Sequence, residues 1–320
     1  MAAFDMPVDQ LPLYNGSNPR PADFDQYWNR ALAEMNTVEP AVTLEPADFQ
    51  SSVADCFHMT FTGVRGARIY AKLLKPKGNP RNCPAVLMFH GYSGNSGEWR
   101  DKLAFVAEGF VVAAMDCRGQ GGRSQDTGGM NGNTYEGMIV RGLGYNPDDM
   151  LMRHIMLDTA QLAGLIMALP EVDETRVMAT GGSQGGGLSL ACASLEPRIN
   201  RLAIYCPFLS DYKRVWDMGL AQNSYDEITY YFRHFDPLHE REDKAFTQLG
   251  YVDVQHLAPR IRGQVLMATG MLDRTCPPST QFAAYNRIDA PKEVRLYPDF
   301  AHETYPGFGD MTHAFFRSDK

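Results

Sequence analysis

The sequence predicts an α/β fold: a mostly parallel central sheet with helices on both faces, an N-terminal extension, and an insertion between late core strands. Short apolar runs at 85–89, 110–115, 177–180, 202–205, 265–268 and 294–297 have strand length, and those that are continuously apolar are what strands covered on both sides require. Helix-patterned stretches at 99–108, 149–169, 184–195 and 279–288 separate most of them, the alternation that builds parallel sheets. No internal repeat, low-complexity tract or linker divides the core, so residues 1–320 are expected to form one domain.

The first 80 residues form the extension. After a Pro-rich start, Phe24, Tyr27, Trp28, Ala31, Leu32 and Met35 recur at helical spacing, and Asp23 stands where a cap would. Residues 60–74 turn strand-like, with Gly63 and Gly66 marking turns, which predicts a hairpin or meander. The insertion, residues 208–257, is rich in Tyr, Phe, His and Asp.

Composition narrows the function. Of 320 residues, 44% are apolar and 21% charged, ordinary globular usage. Thirty basic against 38 acidic side chains give a formal charge of −8, which repels phosphate backbones and anionic lipid, so neither nucleic acid nor membrane is an expected partner. No apolar run is long enough to span a bilayer. No basic residue precedes Arg20 and no apolar segment resembles a signal peptide, which predicts a cytoplasmic location, a trimmed secreted chain being the alternative. The six cysteines contain no C-x-x-C, so neither a zinc site nor a disulfide framework is expected.

The chemistry centres on Gly181-Gly182-Ser183-Gln184-Gly185, which follows one apolar run and opens a helix pattern. G-x-S-x-G in this context predicts a sharp strand-to-helix turn that lifts Ser183 out at the sheet edge. Serine is a weak nucleophile alone; it needs a base, and the base needs an orienting acid. In that turn's fold both follow the serine, on loops after later strands. Asp273 lies just past the run 265–268, and His302 just past 294–297. Asp299 shares a loop with His302, and His313 falls in a C-terminal helix pattern, so both are poorer candidates. His58, His154, His234, His239 and His256 fall outside the expected loop.

An oxyanion hole needs two amides: that of Gln184, at the helix N-terminus, and one from the loop after an early strand. His90-Gly91-Tyr92-Ser93-Gly94 supplies the Tyr92 amide, whose ring would overhang the acyl site; a Gly-rich turn with a core-facing tyrosine is the alternative. The Gly-rich stretch 116–124 matches neither phosphate-loop pattern, so Arg118 reads as a residue fixing a loop beneath the site.

With Arg118-Gly119-Gln120, Gly181-Gly182-Ser183-Gln184-Gly185 and His302-Glu303 in order, the chain resembles carbohydrate esterase family 7, the acetyl xylan esterases and cephalosporin C deacetylases of the α/β-hydrolase superfamily. Arg141-Gly142-Leu143, Arg153-His154-Ile155, Leu157-Asp158-Thr159-Ala160, Cys276-Pro277-Pro278-Ser279-Thr280 and the segment around Tyr27-Trp28 extend the likeness over nearly the whole chain. The resemblance implies a serine esterase that deacetylates xylo-oligosaccharides, other small acetylated sugars and 3′-acetoxy cephalosporins. It implies Ser183 as nucleophile, His302 as base, Asp273 as orienter, Tyr92 and Gln184 as oxyanion donors, and a homohexamer arranged as a trimer of dimers. Thr275 stands where that family often has a larger apolar pocket residue, which bears on the width of the acyl pocket. A broader short-chain carboxylesterase is one alternative. A prolyl-oligopeptidase-like peptidase shares the motif and triad order, but the 84 residues before the run at 85 are too few for its propeller. A binding module that lost its chemistry is the third, and the retention of all three triad residues argues against it.

Overall fold

A computed structural model describes residues 4–78, 80–129 and 138–318. Among them nine strands form one sheet: β1 (Thr43–Pro46), β2 (Ala54–Thr62), β3 (Arg68–Pro76), β4 (Cys83–Phe89), β5 (Val111–Met115), β6 (Val172–Gly182), β7 (Arg201–Tyr205), β8 (Gln264–Gly270) and β9 (Lys292–Tyr297). Their spatial order is β1-β2-β3-β5-β4-β6-β7-β8-β9. From β5 through β9 neighbours run parallel, whereas β1, β2 and β3 pair antiparallel and join through β3 to β5. The extension is therefore an antiparallel continuation of the core sheet, with the turn at Gly63 and Gly66 joining β2 to β3.

Because successive side chains alternate across a strand, the apolar runs feed two cores. Ala85, Leu87 and Phe89 of β4 face one with Leu202 and Ile204 of β7; Val86 and Ala203 face the other. The first face is covered by α1 (Phe24–Asn36), α3 (Leu151–Met167), α4 (Gln184–Leu195) and α9 (Pro278–Tyr285). The second is covered by α2 (Leu103–Ala107) and α10 (Phe308–Arg317). Between β7 and β8 the insertion folds as α5 (Tyr212–Asp217), α6 (Asp226–Phe235), α7 (Glu242–Leu249) and α8 (Val254–Leu257). No described helix is long and apolar enough to cross a membrane.

One local expectation fails. Asp23 precedes α1, but its side chain makes no capping bond; its carboxylate accepts the hydroxyl of Tyr251 from the insertion instead. Trp28 reinforces that contact, donating from Nε1 to the Tyr251 carbonyl at 2.9 Å.

Arg118 ties its loop to α3. Leaving β5, it donates from Nε and an Nη to both carboxylate oxygens of Asp158 on α3, each at 2.6 Å, with both side chains 1% exposed. Burial pushes the Asp158 carboxyl up, against the pull of Arg118. The turn after β2 closes over the pair: a Cβ on Gly63 would fall 2.5 Å from Asp158 Oδ1 and 2.7 Å from the Arg118 guanidinium, so no larger residue fits there. Removing one partner strands a charge in the core. Asp158→Ala is expected to cost about 3–5 kcal/mol, read as a lowered urea midpoint with unchanged slope.

Candidate active site

Ser183 stands between β6 and α4 at φ 54, ψ −123, a left-handed backbone that is unusual for serine. Neighbouring backbone holds it there. Its N–H donates to the Tyr205 carbonyl at 3.1 Å, and its carbonyl accepts from Gly187 at 3.1 Å and Phe208 at 2.9 Å. Two glycines are dictated by close approach: a Cβ would lie 2.1 Å from the Tyr205 ring at Gly182 and 2.1 Å from the Phe89 carbonyl at Gly185.

The loops after β8 and β9 bring Asp273 and His302 to this turn. His302 Nε2 lies 2.9 Å from Ser183 Oγ, and His302 Nδ1 lies 2.8 Å from Asp273 Oδ2. With a carboxylate at Nδ1, the consistent tautomer carries its proton there and leaves Nε2 to accept from the serine. Asp273 is fully buried and fixed from behind. Its Oδ1 accepts the amides of Thr275 at 2.9 Å and Cys276 at 2.8 Å, and Gln281 Nε2 approaches Oδ2 at 3.4 Å. Burial works against charge on His302, but Asp273 and the adjacent Cys206 and Cys276 sulfurs outweigh it and hold the ring's pKa above the ordinary histidine value. Cys206, Asp273 and His302 also form the one group of possible metal ligands among the described residues, their ligand atoms within 4.8 Å of one another. Asp273 and His302 are already engaged with each other and with the serine.

The other candidates lie elsewhere. Asp299 is exposed on its loop, and His313 on α10 packs against the Phe105 ring. His58 meets the Tyr70 hydroxyl, His154 the Asp148 carbonyl, His239 the Glu242 carboxylate and His256 the Asn18 carbonyl, while His234 lies against Tyr230.

Gln184 opens α4, so its amide has no carbonyl within the helix to bond, and its side chain is fully buried. That side chain exchanges two hydrogen bonds of 2.9 Å with the Gln120 side chain. The motif at 118–120 is thus bound to the turn it underlies. A cavity of about 410 Å³ opens at Ser183, lined by residues including Phe89, His90, Gly91, Cys206, Tyr205 and His302. Neither Tyr92 nor Thr275 is among its described lining. The Tyr92 hydroxyl donates to Glu227 of α6 and its ring meets Phe208 edge-on at 5.9 Å, so the side chain turns toward the insertion instead of overhanging the serine. Thr275 contributes its amide to Asp273.

His90, which the sequence reading passed over, ties the two loops beside the cavity. Its Nε2 accepts the Cys117 amide at 3.0 Å while Nδ1 lies 2.7 Å from the Gly91 carbonyl, and burial lowers its pKa, which suits the neutral ring these contacts require. Its adjacency to Gly91 was the available signal; its partner lies 27 residues on.

This turn, at the C-terminal edge of a largely parallel sheet, defines an α/β-hydrolase whose serine, histidine and carboxylate stand in series. A family model described as acetyl xylan esterase (AXE1) matches residues 1–320, and the chain belongs to that family. Acetyl Xylan Esterase 1 from Thermoanaerobacterium sp. JW/SL YS485 is similar at 60% identity, TM-score 0.96, over 98% of each chain. Acetyl xylan esterase from Paenibacillus sp. R4 is 34% identical at TM-score 0.93, covering 97% of this chain and 99% of that one. Acetyl esterase Axe7A of Xylanibacter ruminicola is 30% identical over 291 residues, 89% of this chain but 64% of that protein, so the chain spans less than two thirds of that relative's length.

A hydroxyl bonded to a neutral imidazole can be made nucleophilic; one bonded to an imidazolium cannot. A fluorophosphonate probe is expected to label Ser183, located by peptide mass spectrometry. Since the His302 pKa is raised, the neutral base is lost earlier on acidification, and the labelling rate should fall with a midpoint above the usual value of about 6.5. A midpoint below that value would mean that burial outweighs the pull of Asp273 on the ring.

Proposed function

We propose that the chain is a serine esterase that deacetylates small acetylated carbohydrates, xylo-oligosaccharides foremost, with 3′-acetoxy cephalosporins as further substrates. The observation that carries this reading is the continuous Ser183–His302–Asp273 hydrogen-bond chain at a cavity open to substrate. Ser183 attacks the ester carbonyl as His302 Nε2 takes its proton, and Asp273 stabilises the resulting imidazolium. The amides of Tyr92 and Gln184 receive the oxyanion. The sugar alkoxide leaves with the proton from His302, and water hydrolyses the acetyl-enzyme by the same route. No step draws on a metal or an organic cofactor.

The names of the relatives, all acetyl or acetyl xylan esterases, support the acetyl group as the one removed. The homohexamer is carried by family resemblance and is expected as six 35.7-kDa chains in light scattering. Six buried free thiols favour a reducing, cytoplasmic compartment. A broader short-chain carboxylesterase is the second reading, favoured by a cavity of about 410 Å³ whose described lining includes neither Tyr92 nor Thr275.

Ser183→Ala is expected to lower kcat on the order of 10⁴–10⁶-fold while the protein stays folded. In the wild type, kcat/KM should fall steeply from 4-nitrophenyl acetate through the butyrate to the octanoate. Because one methylene shifts binding by only about 1–3 kcal/mol, propionyl esters should still turn over. A flat series abolished by Ser183→Ala would favour the broader carboxylesterase.

A further inference from the structure

The insertion places a fully buried carboxylate, Glu227, within reach of the loop that follows β4. Its Oε1 accepts the Tyr92 hydroxyl, and its Oε2 accepts the amides of Ile139 at 3.1 Å and Val140 at 3.2 Å. Its described hydrogen-bond partners are all neutral donors. Burial accordingly pushes its pKa up to about 7, against the pull of the Tyr92 hydroxyl and the amides. A fold retaining only shape at this point would be served by an apolar side chain.

Geometry shows what the carboxylate controls. Tyr92 follows Gly91, which lines the cavity, in a tight turn closed by the Gly94 amide on the Gly91 carbonyl at 3.0 Å. In such a turn the direction of the Tyr92 N–H is coupled to where its side chain is held. The insertion holds that side chain twice, at the hydroxyl through Glu227 and at the ring edge through Phe208. Phe208 also donates its amide to the Ser183 carbonyl at 2.9 Å, fixing the peptide that leads into the Gln184 amide. The two amides expected to receive the oxyanion come from separate loops, and the same insertion grips both.

We infer that Glu227 is a positioning residue for ester hydrolysis, holding Tyr92 so that its backbone amide points at the oxyanion, and that the insertion sets the spacing of the two oxyanion donors. This rests on the esterase reading above. Glu227 touches no reacting atom; it acts through Tyr92.

The test compares Glu227→Ala, Glu227→Gln, Tyr92→Phe and the Glu227→Ala/Tyr92→Phe double variant on 4-nitrophenyl acetate, with inhibition by an aryl trifluoromethyl ketone, whose adduct carries an oxyanion. Glu227→Ala is expected to lose 10- to 100-fold in kcat (about 1.4–2.7 kcal/mol) with KM within twofold, and to bind the ketone more weakly by a matching factor. Tyr92→Phe should lose in the same parameters, and the double variant should be no worse than the poorer single one, because both break one contact. Glu227→Gln can accept both amides through its oxygen and donate to the Tyr92 oxygen through its nitrogen, so it should recover most of kcat. Wild-type kcat and ketone affinity in Glu227→Ala, a loss confined to KM, or losses that multiply in the double variant would overturn the inference. If Glu227→Ala does not fold, Tyr92→Phe decides: unchanged kcat and ketone inhibition there overturn it equally. Wild-type turnover that Ser183→Ala does not abolish would overturn the esterase reading itself, and this inference with it.

Discussion

The Arg118–Asp158 pair is the constraint on which the site's floor depends. A guanidinium and a carboxylate at 1% exposure cannot turn to water, so each must keep the other's bidentate geometry. This locks the start of the loop after β5 onto α3. Two residues further on, Gln120 reaches the Gln184 side chain with its direction already set, so the N-terminus of α4 is tied to the ion pair by a short covalent path and two hydrogen bonds. Gly63 seals the pair from above, which makes the β2–β3 turn of the extension part of the same support.

Above this floor, the strained serine and the buried aspartate are held by different physics. Ser183 keeps a left-handed φ because its flanking peptides are bonded by Tyr205, Gly187 and Phe208, and because glycines at 182 and 185 let β4 and β7 come within van der Waals distance. Asp273 is held in a dry setting by two backbone amides and a histidine N–H directed at it. The first is a steric arrangement, readable from glycines; the second is electrostatic and comes from a loop that curls back on its own carboxylate.

That difference governs how much was legible in the sequence. Strands β4 to β9 coincide with the apolar runs, and Ser183, Asp273 and His302 were proposed from local signals, small residues around a serine and polar residues just past a strand end; β1 and the first half of β2 carried no signal that was read. The sequence marked Arg118 as a loop residue but not its partner, because Asp158 lies 40 residues away and periodicity does not encode contacts between elements. Asp23 had the residue type and position of a cap, yet Tyr251 competes for its oxygen from more than 200 residues away. Tyr92 belongs to the loop whose Gly91 lines the cavity, but its hydroxyl is held by Glu227, 135 residues on in a segment without any motif. Local chemistry is written locally; orientation is set by whichever distant group arrives to complete a hydrogen bond.

The insertion itself needs bracing if it is to orient anything, and the extension provides it. Asp211, at the start of α5, accepts the Tyr14 hydroxyl at 2.7 Å and the amides of Ser17 at 3.0 Å and Asn18 at 2.8 Å, while its own amide donates to buried Asp253 at 2.9 Å. Two neighbouring carboxylates would repel if both were ionised. Burial and Asp211 raise the Asp253 pKa to about 7, so protonation can relieve the pair near neutrality while Asp211 keeps its donors. Trp28 and Asp23 hold the far side of the insertion through Tyr251. The extension therefore does more than lengthen the sheet. It anchors the insertion at Asp211 and Tyr251, leaving the intervening Glu227 on a segment fixed at both ends, which is the condition for one buried carboxylate to set the direction of an amide in another loop.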